Sequence, residues 1–107
     1  MKFAIGEASL VLELVLDHLT NTRGGALFVA TSEVMARRLR EDFEEICVFA
    51  RESSDRVHWV ALNGVTTISS AFDFDYVGID ERVEARYPEA VARLRASLTV
   101  GLPAVMP

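Results

Sequence analysis

The sequence predicts an α/β fold: a small three-layer sandwich with a mostly parallel sheet, helices on both faces, and one local β-hairpin or tight turn near Asn63-Gly64. Three observations lead there. Segments of helical periodicity alternate with short apolar runs, the order expected of strands joined by crossing helices. Most of those runs are continuously apolar, which suits strands covered on both faces. An Asn-Gly pair separates two β-rich segments, the strongest short-range hairpin signal. The 107 residues fit one domain, and a domain of this size buries roughly two-thirds of the surface of its unfolded chain.

The first predicted element is a helix over Glu7 to Asn21. Ser9, Glu13 and Asp17 recur every four residues as a narrow polar stripe, and Leu10, Val11, Leu12, Leu14, Val15, Leu16 and Leu19 fill the rest of the circumference. Such a helix must pack against a sheet, another helix or a partner chain. Asn21-Thr22-Arg23-Gly24-Gly25 ends it, with glycine available for the left-handed cap. Ala26 to Ala30 is a continuous apolar run between turn signals and predicts a buried strand. Thr31 or Ser32 can cap the next helix, with Glu33 set against the positive end of its dipole.

From Val34 to Glu45 the apolar set Met35, Leu39, Phe43 and Ile46 keeps helical spacing. Arg37/Glu41, Arg38/Asp42 and Arg40/Glu44 form i,i+4 pairs on the solvated face, each worth about 0.2–0.5 kcal/mol. Ile46 to Ala50 reads as a further buried strand, Arg51 to Arg56 as a polar loop, and Val57 to Leu62 as a third strand. Val65 to Ile68 follows Asn63-Gly64 as the second arm of the hairpin. Phe74 to Ile79 is the last strand and ends at Asp80-Glu81. Val83 and Tyr87 then share a helical face, and Pro88 fits the first turn of a helix that turns Val91, Leu94 and Leu98 inward. The domain spans residues 1–98, and residues 99–107 form an apolar, proline-bearing tail outside any regular element.

Half of the residues are apolar and a quarter charged, which is ordinary for a globular chain and wrong for a disordered one. The net charge of −5, with Lys2 the only lysine against ten arginines set among acidic neighbours, argues against a general phosphate-backbone binder. The longest apolar stretch, Leu10 to Leu19, is broken by Glu13 and Asp17 and is too short to span a bilayer. No basic, apolar and small-residue succession opens the chain, as a secretory signal would. Cys47 is the single cysteine, so no intrachain disulfide can form; it lies in an apolar run, as an inert buried thiol does. A reducing, cytoplasmic setting is expected.

Three segments carry a resemblance. Ala8 to Leu14 is similar to the helix that follows a phosphate-binding loop, and Gly25 to Ser32 to a second core strand with its polar end. Phe74-Asp75-Tyr76-Val77-Gly78-Ile79-Asp80-Glu81 matches the Walker B pattern, an apolar-leaning strand followed by Asp-Glu. Together they resemble the P-loop NTPase core of helicases and phage DNA-packaging motors over most of residues 7–85. The resemblance implies that Asp80 would orient Mg²⁺ and Glu81 would polarise the attacking water. Gly6 would stand for the second loop glycine and Ser9 for its hydroxyl. The family's Gly-x-x-x-x-Gly-Lys-Ser/Thr loop is missing, because Glu7 and Ala8 stand where the lysine belongs.

The residues also have a purely structural reading, in which Asp80 caps the helix after it and Glu81 and Glu84 favour that helix's positive end. Asp73, Asp75, Asp80, Glu81 and Glu84 make an acidic segment, but Asp75 and Asp80 fall at opposite ends of a strand, roughly 15 Å apart at strand rise. One ion cannot bridge them. His18 and His58 have no ligand-spaced partner, and no Gly-x-Ser-x-Gly turn is present. Trp59 alternates with Val57 and Ala61 and is expected in the core. In the tail, Leu102, Val105 and Met106 either fold over their own domain or dock on a partner.

The expectation is a non-catalytic, NTPase-like protein-interaction module of phage descent, with no cofactor, that binds a protein partner or itself, without membrane or general nucleic-acid binding. The alternatives are a small Mg²⁺-dependent NTPase using Asp80 and Glu81, for which Mg²⁺ and ATP are the cofactors, and a structural subunit of a larger assembly.

Overall fold

The computed structural model describes residues 2–50, 54–61, 66–67, 74–99 and 105–106. Strand β1 (Lys2–Gly6) leads into helix α1 (Ala8–Asn21), followed by β2 (Ala26–Ala30), α2 (Glu33–Ala50), a single 3-10 turn (Ser54–Arg56) and β3 (Val57–Ala61). Then come β4 (Thr66–Thr67), β5 (Tyr76–Asp80), α3 (Glu81–Arg86), α4 (Pro88–Thr99) and β6 (Val105–Met106). The main sheet has the order β1-β5-β2-β3 and all its pairings are parallel.

The two faces of the sheet carry separate cores. On one, Val11, Leu12, Val15 and Leu19 of α1 and Ala36, Phe43 and Cys47 of α2 meet Ala26, Phe28 and Ala30 of β2. On the other, Val83, Ala90, Val91 and Leu94 of α3 and α4 meet Leu27, Val29, Val77 and Ile79. Every residue of β2 and β5 is buried, as the apolar-leaning stretches of residues 26–30 and 76–79 require. This is the expected α/β three-layer arrangement. Trp59 lies half-buried between Phe28 and Phe43, with ring centroids 5.2 and 5.8 Å away.

Gly78 lets the central strand approach α1. A Cβ there would lie 2.6 Å from Val11 Cγ1 and 3.3 Å from both Val15 Cγ2 and Phe28 Cδ2. The α2 cap is at Ser32, whose Oγ accepts from the Met35 N–H at 3.1 Å, and Pro88 opens α4 as expected.

Three expectations change. Lys2–Gly6 is a strand, pairing with β5 from Lys2↔Tyr76 to Gly6↔Asp80, where no element was expected and Gly6 stood as a loop glycine. Ile46–Ala50 is not a strand but the end of α2: Cys47 lies one turn after Phe43 and buries on the same face, while Ile46, Val48 and Phe49 are exposed. The tail holds regular structure, since α4 runs to Thr99 and Val105–Met106 pair antiparallel with Thr66–Thr67. Asn63 and Gly64, the expected turn, lie outside the described residues. No described helix is long and apolar enough to cross a membrane.

Candidate functional site

In open α/β sheets, ligands collect at the carboxyl ends of strands whose following helices leave to opposite faces. Here β1 and β5 are such a pair, because α1 covers one face and α3 the other. The register sets Gly6 beside Asp80. The Walker-like residues Gly6, Ser9, Asp80 and Glu81 therefore gather at one end of the sheet.

Their chemistry there is largely committed. Gly6 ends β1 and Ala8 opens α1, so Glu7 alone connects strand to helix. Its backbone carbonyl accepts from the Val11 N–H at 3.0 Å, and its exposed carboxylate takes the Ser9 hydroxyl. The positive end of α1 thus already carries an anionic side chain. A Cβ on Gly6 would meet only Val11 Cγ2, at 3.7 Å, an ordinary contact.

Asp80 is 1% exposed. Its Oδ1 accepts from the Arg82 backbone N–H at 3.0 Å, which caps α3. The Arg82 guanidinium closes over both oxygens, with Nη2 2.6 Å from Oδ2 and Nε 3.1 Å from each. That hydrogen-bonded pairing raises the Arg82 pKa above its already high ordinary value. A carboxylate held this way has little free lone-pair capacity for a metal. Glu81 is exposed and lines a groove between α3 and α4 with Glu84, Val91 and Arg95. Among the described residues, no three His, Cys, Asp or Glu side chains converge as a metal site would need.

The amino end of the sheet holds an arrangement that sequence reasoning missed. His18 is buried, and its Nε2 lies 2.6 Å from Asp75 Oδ1. Tyr76 flanks the imidazole at 4.9 Å, and the Thr22 hydroxyl is 3.3 Å from Nε2. Arg56 donates to the carbonyls of Leu19 (2.9 Å), Thr22 (2.6 Å) and Gly24 (2.6 Å), closing the end of α1. A concavity of about 510 Å³ opens between Arg23, Gly25, Arg56, Phe74 and Asp75.

The solvent accessibility of the His18–Asp75 pair decides its chemistry. The carboxylate is 57% exposed and the imidazole 5%. A general-base dyad needs the reverse, with the imidazole presented to substrate and the carboxylate behind it. The pair is therefore a clamp between the end of α1 and the start of β5. The residues are 57 positions apart in sequence, so spacing gave no sign of it.

Of the tail residues expected to dock, Val105 and Met106 pair with Thr67 and Thr66, and Leu102 lies outside the described residues. Among the residues whose burial is described, the exposed large apolar side chains are Leu10 and Leu14 on α1 and Val34, Ile46, Val48 and Phe49 on α2. Comparison with protein-family models, with curated proteins and with solved structures gives no match.

Proposed function

We propose that this chain is a non-catalytic, NTPase-like binding module that works through protein contact, not nucleotide turnover. One observation carries the reading: Glu7 alone joins β1 to α1. A phosphate cradle needs several consecutive backbone N–H groups and a lysine ammonium. Here one carboxylate occupies that ground, and it repels a triphosphate. The engagement of Asp80 by Arg82 supports the same reading. The NTPase kinship draws support from β5, which lies centrally in the sheet beside β2, where a Walker B strand belongs.

Thermal unfolding with and without Mg-ATP tests this. Ligand at a hundred times its Kd adds about 2.7 kcal/mol of stability, or at least about 10 °C in Tm for a domain of this size. The expected shift is none, and a rise of several degrees overturns the reading.

One observation favours the enzymatic alternative, since Asp80 ends a central strand at the switch point, where the resemblance puts an Mg²⁺ ligand. That alternative requires measurable hydrolysis that Glu81→Gln abolishes. The reading as a structural subunit of a larger assembly shares the sequence support of the binding module, the missing phosphate loop and the acidic charge.

A further inference from the structure

We infer that the partner is a second copy of this chain, docked edge to edge along β1 so that two four-stranded sheets join into one of eight strands. The inference deepens the protein-contact reading and rests on it.

The edge itself is the first ground. The Lys2 N–H donates to the Asp75 carbonyl at 3.1 Å, and with the parallel register this turns the backbone groups of Lys2, Ala4 and Gly6 toward β5. The N–H and C=O groups of Phe3 and Ile5 therefore point outward, and among the described residues no strand pairs with them. An antiparallel copy centred on Ala4 sets Phe3 opposite the partner's Ile5, and Ile5 opposite the partner's Phe3. Each such pair exchanges two N–H···O bonds. The half-buried Phe3 and Ile5 side chains, which lie on the α4 face, then cover one another across the join.

Helix α1 supplies the second ground. It packs on β5 and β1, whereas α2 packs on β3 and β2, so one flank of α1 overhangs the open edge. Leu16, on the flank toward α2, is half-buried against the core; Leu10 and Leu14, on the opposite flank, are 57% and 49% exposed. A two-fold axis midway between Ala4 and the partner's Ala4, normal to the sheet, keeps both α1 helices on the same face and runs them antiparallel. With strands about 4.8 Å apart and α1 seated between β1 and β5, the two axes come to about 10 Å, within the ordinary helix-packing range. The height also agrees. Ala4 pairs with Gly78, and Gly78 lies beneath Val11 and Val15, so the axis passes beside α1 between Leu10 and Leu14. Each leucine then meets the other's counterpart.

Charge gives the third. In this register the exposed Lys2 falls beside the partner's Gly6 and Glu7, on the α1 face. The only lysine of an acidic chain thus meets a carboxylate twice, once on each side of the axis.

Sedimentation equilibrium over a range of concentrations, paired with amide hydrogen exchange, tests the inference. The wild-type chain is expected to reach twice its 11.8 kDa mass, with the Phe3 and Ile5 amides protected. Leu10→Lys/Leu14→Lys, on exposed positions, should weaken self-association at least about tenfold, leave the melting of the monomer in place and release those two amides. Lys2→Glu should weaken it too, and Lys2→Glu/Glu7→Lys should restore it, which a merely structural role for either residue would not do. A wild-type monomer at every concentration overturns the inference. So does a dimer whose Phe3 and Ile5 amides exchange freely, or a species that grows beyond two copies. A monomer that also ignores Mg-ATP removes only the dimer, whereas a melting shift with Mg-ATP removes the reading on which it rests.

Discussion

Gly78→Ala tests the close approach of α1 to the central strand. The new methyl carbon would lie 2.6 Å from Val11 Cγ1 and 3.3 Å from Val15 Cγ2 and Phe28 Cδ2. All three neighbours are at most 1% exposed. Val11 cannot swing aside cheaply, because a β-branched side chain in a helix has essentially one rotamer. Relief must come from moving α1 off the sheet, and overpacking of this kind costs about 1–3 kcal/mol. Against that stands a gain of about 0.4–1 kcal/mol from a less flexible unfolded chain. The net expectation is a loss of about 1–2 kcal/mol, seen as a lower midpoint in urea with an unchanged slope. The double variant Gly78→Ala/Val11→Ala removes the clashing carbon, so the two losses should be less than additive by about 1 kcal/mol or more. Strict additivity, or a Gly78→Ala chain as stable as wild type, would refute the packing account.

Asp80→Ala should destabilise by about 1 kcal/mol through loss of the α3 cap. Asp80→Asn keeps an acceptor and should fall closer to wild type, so equal losses in thermal melts would show that capping is not what Asp80 contributes. Tyr76 offers a test by pH. Burial first, and the Asp17 carboxylate second, raise its phenol pKa above the ordinary value. Both states are protonated below the unfolded pKa of about 10, so this contribution is intact there. Above it the unfolded chain ionises first, and stability drains as pH climbs toward the folded value. Tyr76→Phe should flatten that alkaline decline, and identical declines in the two chains would contradict the assignment.

The elements whose local signal agreed with their environment were legible in the sequence. The five apolar residues of β2 have one sensible fate, and the spacing in α1 marks a helix, although Leu10 and Leu14 are exposed where cover on most of its circumference was expected. Ile46–Ala50 misled because five apolar residues in a row look alike in a strand and at the end of a helix. Only the phase from Phe43 to Cys47 separates the two. Lys2–Gly6 was missed because Gly6 was weighed as a loop glycine, although Phe3-Ala4-Ile5 before it already had strand composition. The cap role of Asp80 could be read from its position ahead of a helix. The grip of Arg82 on both its oxygens could not, nor could the clamp between His18 and Asp75, which exists only because the amino end of β5 comes to rest beside the end of α1.

The strand order β1-β5-β2-β3 bears on how the chain must assemble. Three of the four strands are synthesised before the one that lies between the first two. Until residues 76–80 arrive, the first strand has no neighbour and the second keeps one side bare. A ribosome-bound chain that ends before that point holds an open slot lined with unpaired amides and apolar side chains, the kind of surface on which partly made chains cling to one another. Closing it demands long-range pairings, which form slowly. The late arrival of a single strand therefore sets when the inner slot of this sheet closes.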